Sequence, residues 1–168
     1  MNFLKIFLIF SLMSFFLINC AKKEKVSVVI EEDVEQQMIR AFREGYAEFE
    51  AGDNLYAAQK FNEAELLFPQ SSWAPKAALM AAYVYYAQDY YFDAESELKR
   101  FIKTYPKHPD LNYAHFLLAM CYYEKIIDEK KDSGPLIQAQ KEFNFIIRNY
   151  PNSDYALDAG YKLDLIQD

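Results

Sequence analysis

Residues that could perform chemistry are few in this sequence and are widely spaced. Its two histidines, His108 and His115, and its two cysteines, Cys20 and Cys121, form no close set of metal ligands. Neighbouring carboxylates such as Glu63 and Glu65 usually lie on helix faces that are exposed to solvent. The sequence contains no nucleophile elbow, glycine-rich phosphate loop or zinc-binding helix motif. It therefore predicts no enzyme, no metal site and no cofactor.

The composition instead favours a protein that binds other polypeptides. The 168 residues carry a formal net charge of −7, which repels phosphate backbones, so we expect no nucleic-acid partner. A hydrophobic content of 52% is sufficient for a core. The chain has 14 Tyr and 14 Phe against a single Trp. Because tyrosine combines an apolar ring with a polar tip, this excess is typical of half-wet contact surfaces.

The first twenty residues have the pattern of an export signal that ends in a lipid anchor. Lys5 precedes an apolar run over residues 6–18, too short for a comfortable membrane span but typical of a signal-peptide core. The run ends at Leu17-Ile18-Asn19-Cys20, which resembles a bacterial lipobox, although that pattern prefers Gly, Ala or Ser where Asn19 stands. An uncleaved signal anchor with an incidental cysteine is the alternative.

We therefore expect a signal peptide over residues 1–19 and a lipidated Cys20 with a tether over residues 20–34. Diacyl attachment with an N-terminal acyl chain (palmitate) supplies more than one anchor chain, enough for stable membrane residence. By resemblance to the sorting rules of enteric bacteria, Ala21 after the cysteine implies the periplasmic face of the outer membrane. Cys121 then remains as a lone cysteine in an apolar run, and we expect it to be buried.

The remainder of the chain repeats itself around three prolines. Pro69, Pro106 and Pro151 each follow an aromatic residue, at intervals of 37 and 45 residues. Alanine stands 12 residues before and eight residues after each proline, and a large apolar residue stands eight before it. These positions are Ala57, Ala94 and Ala139; Ala77, Ala114 and Ala159; and Phe61, Leu98 and Phe143. Small residues allow two helices to approach closely, and a proline ends the second helix of each pair.

This pattern resembles the tetratricopeptide repeat, a helix–turn–helix unit of about 34 residues. It predicts an all-α fold, an α-solenoid of tetratricopeptide-like helical hairpins with about three and a half repeats over residues 35–168. The predicted helices cover residues 33–51, 54–68, 72–88, 91–105, 110–130, 136–150 and 152–167. Asp53, Ser72 and Ser153 are the expected N-caps.

The segment from Phe68 to Gln167 resembles one family more closely. FIKTYPKHPDLNYAHFLLAMCYYE and FNFIIRNYPNSDYALDAGYKLDLIQ are similar to sequences of BamD, a family of periplasmic repeat lipoproteins. The resemblance implies a component of the outer-membrane β-barrel assembly (BAM) complex. Such a component binds unfolded outer-membrane proteins and partner subunits, BamA among them, and promotes barrel folding and insertion.

One departure from the family concerns the end of the sequence. The chain stops after the first helix of a fourth repeat, whereas the family continues with further repeats that dock BamA. Docking to BamA therefore stays open, as does the possibility of an incomplete sequence. We expect the last helix to expose Tyr161, Leu163 and Leu165.

Aromatic residues recur on the first helix of each predicted hairpin, where stacked repeats form a groove. We expect a peptide-binding groove at Phe42, Tyr46, Phe49, Tyr83, Tyr86, Phe116 and Tyr123. Packing between hairpins is the alternative for each of them. The family resemblance implies that the ligand is the aromatic-rich C-terminal signal of unfolded barrel proteins.

A Tol-associated periplasmic repeat protein that coordinates envelope constriction is the alternative function. Those proteins share the proline phrases but typically lack a lipobox and carry an N-terminal coiled coil. Cys20 and the short segment 21–34 favour the assembly factor. A lipoprotein enzyme or cell-wall hydrolase would need a catalytic constellation, and the sequence offers none.

Overall fold

Helices make up nearly all of the part of the chain that the structure describes. The computed structural model describes residues 33–128 and 133–167, so the expected signal peptide, Cys20 and nearly all of the tether lie outside the described residues. Within these two ranges there are seven helices and no strand. They are α1 (Val34–Ala51), α2 (Asn54–Leu67), α3 (Ala74–Ala87), α4 (Tyr91–Thr104), α5 (Leu111–Asp128), α6 (Gly134–Asn149) and α7 (Asp154–Gln167). All seven predicted helices are confirmed, with ends that agree to within two residues.

The helices form antiparallel hairpins in chain order. Each helix packs mainly on the one before it and the one after it, which pairs α1 with α2, α3 with α4 and α5 with α6. The first helices of successive hairpins also touch, α3 with α5 and α5 with α7. The predicted all-α repeat architecture of three and a half hairpins is confirmed. Of the helices in this part of the chain, none combines the length and the apolar character needed to cross a membrane.

The residues that recur around the prolines form the contacts within and between hairpins. All of the repeated alanines and all three of the large apolar residues eight positions before the prolines are 0% exposed. At the α1–α2 crossing even an alanine is avoided, since a Cβ on Gly45 would lie 3.1 Å from Cδ1 of Phe61 and 3.2 Å from the carbonyl oxygen of Ala57. The recurring pattern is therefore one of small residues seated against large ones at helix crossings.

The proline phrases build the same turn three times. Helices α2, α4 and α6 each end one residue before the aromatic residue that precedes the proline. In every case the backbone N–H three residues after the aromatic residue donates to its carbonyl oxygen at 3.0 Å. The three pairs are Ser71 to Phe68, His108 to Tyr105 and Ser153 to Tyr150. The three connections thus begin with the same hydrogen-bonded turn, although six residues separate the helices at the first two and four at the third.

Two of the three expected N-caps are confirmed. Asp53 Oδ1 accepts from the N–H of Tyr56 at 3.2 Å, and Ser153 Oγ accepts from the N–H of Ala156 at 3.2 Å. The expected cap at Ser72 is wrong. Because α3 begins at Ala74, it is Ser71 whose hydroxyl accepts from the first N–H of that helix, at 3.1 Å.

A buried carboxylate joins the second helices of the first two hairpins. Glu65 of α2 is 4% exposed. Its two oxygens accept from Arg100 of α4 at 2.8 and 2.6 Å, and the hydroxyl of Tyr105 donates to it at 2.6 Å. The hydrogen bond to Glu65 raises the pKa of Arg100, while burial and then the same carboxylate raise the pKa of Tyr105. The bidentate geometry fixes both distance and orientation between repeats.

The last helix partly corrects the sequence expectation. Tyr161 and Leu165 of α7 are each 62% exposed, as expected, but Leu163 is only 8% exposed, so its expected exposure is wrong. Leu163 lies on a different face of α7 from Tyr161 and Leu165, the face that also carries Ala156 and Ala159. It packs into the core cluster formed with α5 and α6. A terminal helix that packs on a single neighbouring hairpin buries the face toward that hairpin and leaves its other face exposed to solvent.

We predict that Glu65→Ala lowers the free energy of unfolding by about 2 kcal/mol, because it removes the bidentate partner of Arg100 on α2, leaving that guanidinium its contacts with Glu97 and Asn62, and takes the acceptor from the Tyr105 hydroxyl. Glu63→Ala is the matched control. Glu63 lies two residues away, with a side chain 46% exposed, and among the described residues it pairs only with Lys60, so its loss is expected to cost less than about 0.5 kcal/mol. Urea denaturation followed by circular dichroism measures both, and equal losses would contradict the inter-repeat role of Glu65.

Candidate functional site

Two neighbouring hollows open where the first helices of the hairpins meet. The first has a volume of about 350 Å³ and is bounded by α1 and by the turn that leads into α3. Its lining residues are Ile39, Phe42, Arg43, Tyr46 and Trp73. The second, of about 430 Å³, lies between α1, α3 and the start of α5. Its lining residues are Phe42, Lys76, Leu79, Met80, Tyr83, Asp110 and Tyr113. Because Phe42 borders both, we call them together the groove hollows.

Phe42 is held by rings from two other segments. Its ring meets Phe61 of α2 and Trp73 edge to face, with centroids 5.2 Å apart in both cases. The ammonium of Lys76 lies 4.9 Å from the centroid of the Trp73 ring, a favourable cation–π distance. The wall between the groove hollows is therefore a packed set of rings, and its shape is set before any ligand arrives.

The structure places three of the seven expected groove residues in the groove hollows. Phe42 borders both, Tyr46 lines the first and Tyr83 lines the second. Phe49 lies behind Tyr83, with ring centroids 5.8 Å apart. Tyr46 is 49% exposed, which leaves it free to contact a ligand.

The other three expected residues pack against helices further along the chain. Tyr86 lies on Tyr91 of α4, with centroids 5.7 Å apart, and burial raises the pKa of Tyr86 to about 12. Phe116 packs on Tyr155 at 5.3 Å. Tyr123 lies under the ammonium of Lys162, 4.3 Å from its ring centroid. Phe116 and Tyr123 thereby connect α5 to α7.

Sequence reasoning missed several residues of the groove hollows that the repeat phase could have indicated. Trp73 and Asp110 both stand four residues after a proline, and Lys76 and Tyr113 both stand seven after one. All four line the groove hollows. Equivalent positions in successive repeats share one side of the stack, so the residue types need not be alike for the positions to meet.

The groove hollows have the chemistry of a binding surface. Rings and aliphatic side chains dominate, with two cations, Arg43 and Lys76, and one carboxylate, Asp110. Among residues 33–128 and 133–167, no group of three His, Cys, Asp or Glu side chains is placed to hold a metal ion. Cys121 is fully buried on α5, and burial raises the pKa of its thiol to about 12. Hollows with this lining can accept aromatic or aliphatic side chains, and their cations can pair with carboxylates.

Comparisons with known proteins identify similar chains. Residues 34–168 match the family model YfiO, described as outer membrane lipoprotein. The chain is 32% identical over 150 residues to the outer membrane protein assembly factor BamD of Caulobacter vibrioides, covering 89% of this chain and 48% of that protein. The BamD of Rickettsia prowazekii is 29% identical, over 81% of this chain and 54% of its own length. The BamD of Neisseria gonorrhoeae is 26% identical, over 71% of this chain and 49% of its own length. The chain thus spans about half the length of the curated relatives it matches.

Intrinsic fluorescence tests the geometry of the groove hollows, because Trp73 is the single tryptophan of the sequence. We predict that Phe42→Ala moves the emission maximum of Trp73 to longer wavelength, since removing the adjacent ring admits water. Phe92→Ala is the control, because Phe92 lies exposed on α4 and is expected to leave the emission unchanged. An unchanged spectrum for Phe42→Ala would contradict the ring contact.

Proposed function

The chain belongs to the YfiO family of outer membrane lipoproteins, and on that premise we propose that it acts in outer-membrane β-barrel assembly. In this proposal it binds unfolded outer-membrane proteins and promotes their folding and insertion as a component of the BAM complex. The names of the relatives support the assembly role, and none of the three described above carries a Tol-associated name.

The groove hollows are the observation that carries the proposal. An unfolded barrel protein presents extended segments in which apolar side chains alternate with polar ones. Two adjacent ring-lined hollows divided by Phe42 can take such apolar side chains, while Arg43 and Lys76 attract acidic groups beside them. Because the rings are already packed, the protein loses little conformational entropy on binding. The peptide loses much more, and this loss keeps the affinity modest. A modest affinity suits a client that must be released.

Partners and location belong to the same proposal. We infer that BamA and other BAM subunits bind this protein, and that its place is the periplasmic face of the outer membrane. The chain is held there by lipid on Cys20, with residues 1–19 removed as a signal peptide and residues 20–34 acting as a tether. The relatives' names support assembly at the outer membrane, and the lipobox-like sequence supports the anchor.

Peptide titration tests the groove. The probe is a fluorescein-labelled peptide with the aromatic-rich C-terminal sequence of an outer-membrane barrel protein, followed by anisotropy. We predict that Tyr46→Ala weakens binding about tenfold, because an exposed ring that lines the first groove hollow contributes roughly 1–2 kcal/mol. Tyr161→Ala is the matched control, since Tyr161 on α7 is also an exposed tyrosine, and it should bind as the parent does. Equal affinities for both variants would refute the groove as the binding site.

Fractionation tests the anchor. We predict that the parent chain is found in the membrane fraction and incorporates radiolabelled palmitate, and that Cys20→Ala abolishes the incorporation, because the cysteine sulfur is the acceptor of the diacyl group. Cys121→Ala is the control, since that thiol is buried and should leave both measurements unchanged. Retention of the parent chain in membranes without label would indicate an uncleaved signal anchor instead.

A further inference from the structure

A second cleft lies between the second helices of the second and third hairpins. It has a volume of about 490 Å³, with α4 and α6 as walls and α5 as floor. From α4 come Glu95, Lys99, Ile102 and Lys103; from α5, His115, Leu118 and Tyr122; and from α6, Gln138, Lys141 and Glu142. A further hollow of about 590 Å³ shares His115, Lys141 and Glu142 with it and continues along α6. We call this continuous depression the α4–α6 cleft.

Positive charge dominates the α4–α6 cleft, although the chain as a whole is acidic. Four cations line it, namely Lys99, Lys103, Lys141 and Arg148, against two carboxylates, Glu95 and Glu142. Both carboxylates are already engaged by neighbouring side chains. Lys103, Lys141 and Arg148 have no ion-pair partner within the described residues. A ligand with negative charge would therefore meet unpaired cations.

Each of the two carboxylates is engaged by a side chain of the protein. Glu95 accepts from the buried ammonium of Lys125 and, at 2.5 Å, from Lys99. Burial alone would raise the pKa of Glu95, but these two hydrogen bonds outweigh it and the pKa is lowered. Glu142 lies 2.8 Å from Nδ1 of His115, and the imidazole stacks on Phe145 with centroids 4.3 Å apart. The acids are thus held by the protein itself, leaving the cations of the rim for a partner.

The α6 wall also offers groups that suit a peptide backbone and apolar side chains. The amide nitrogens of Asn144 and Asn149 each donate at 2.8 Å to a carbonyl oxygen of α6 itself. Their Oδ1 atoms then remain as acceptors for N–H groups of a ligand. Phe145 is 37% exposed between Lys141 and Arg148, one turn from each. A cation, an aromatic ring and a second cation follow one another along a single stripe of the helix.

We propose that the α4–α6 cleft binds an acidic, extended segment of a partner polypeptide, at a site separate from the groove hollows. Carboxylates of that segment pair with Lys103, Lys141 and Arg148, its apolar side chains contact Phe145 and Ile102, and its backbone donates to the asparagine amides. Where α4 faces α6, the walls on both sides of the α5 floor suit a single chain, which can continue along α6 past Phe145 and Arg148. An anionic membrane is a flat surface, to which a walled cleft gives little access.

Anisotropy with a defined probe tests this site. The probe is a short fluorescein-labelled peptide in which Glu alternates with Leu and Ser, and a second peptide carries Gln in place of every Glu. We expect the Glu peptide to bind and the Gln peptide to bind at least about tenfold more weakly, with an affinity for the former that falls as salt rises. Lys141→Glu combined with Arg148→Glu should weaken the Glu peptide about tenfold or more, since two surface charge pairs become repulsive.

Controls separate a local site from bulk charge and from lipid. Arg40→Glu with Lys107→Glu changes the net charge equally at exposed positions outside the α4–α6 cleft, and should leave the affinity within about twofold. Equal weakening by both double variants would overturn the proposal, as would equal binding of the Glu and Gln peptides. Vesicles of phosphatidylglycerol that bind the protein only when Lys141 and Arg148 are present, with no peptide binding, would assign the surface to a membrane and also overturn it.

Discussion

Close approach of paired helices at alanine positions is the constraint on which the rest of the structure depends. The repeated alanines have no exposed surface, and Gly45 tolerates no added atom without displacing Phe61 or the α2 backbone. Because the helices are so near, their mutual orientation has little freedom. The hydrogen-bonded turn that the three proline phrases share then carries this orientation from one hairpin to the next. Residues at equivalent positions, such as Trp73 and Asp110, therefore reach the same side of the stack.

Ion pairs between neighbouring repeats complete this arrangement and keep it rigid. Glu65 joins α2 to α4 through Arg100, and Glu95 joins α4 to α5 through Lys125. Buried ion pairs contribute little net stability, but they form only within a narrow range of distances and angles between the two groups. Their geometry matters for binding, since walls that are already ordered lose little entropy when a peptide arrives. The groove hollows and the α4–α6 cleft thus depend on one scaffold while differing in chemistry, the first ring-lined and the second cationic.

The sequence predicted the structure best where residue types recur at the same position in every repeat. Alanine spacing and prolines predicted every helix, because both are properties of single repeats. The contacts of a single side chain were predicted less well where it can pack against either of two neighbouring repeats. Tyr83 lines a hollow, whereas Tyr86, one turn later, lies on Tyr91 of α4. Leu163 looked like Tyr161 in a terminal helix, but it occupies the face that α5 and α6 cover. Lys76 was missed because it shares its position, seven residues after a proline, with Tyr113 but not its residue type.

Site-specific photocross-linking measures the central claim most directly, namely that unfolded chains bind at the ring-lined side of the first helices. Benzoylphenylalanine is placed in the full chain at Tyr46 in the first groove hollow, or at Phe92, which is exposed on α4 away from both hollows. Irradiation with an unfolded barrel protein should yield an adduct from position 46 and little from position 92. Adducts of equal yield, or an adduct only from position 92, would contradict the account.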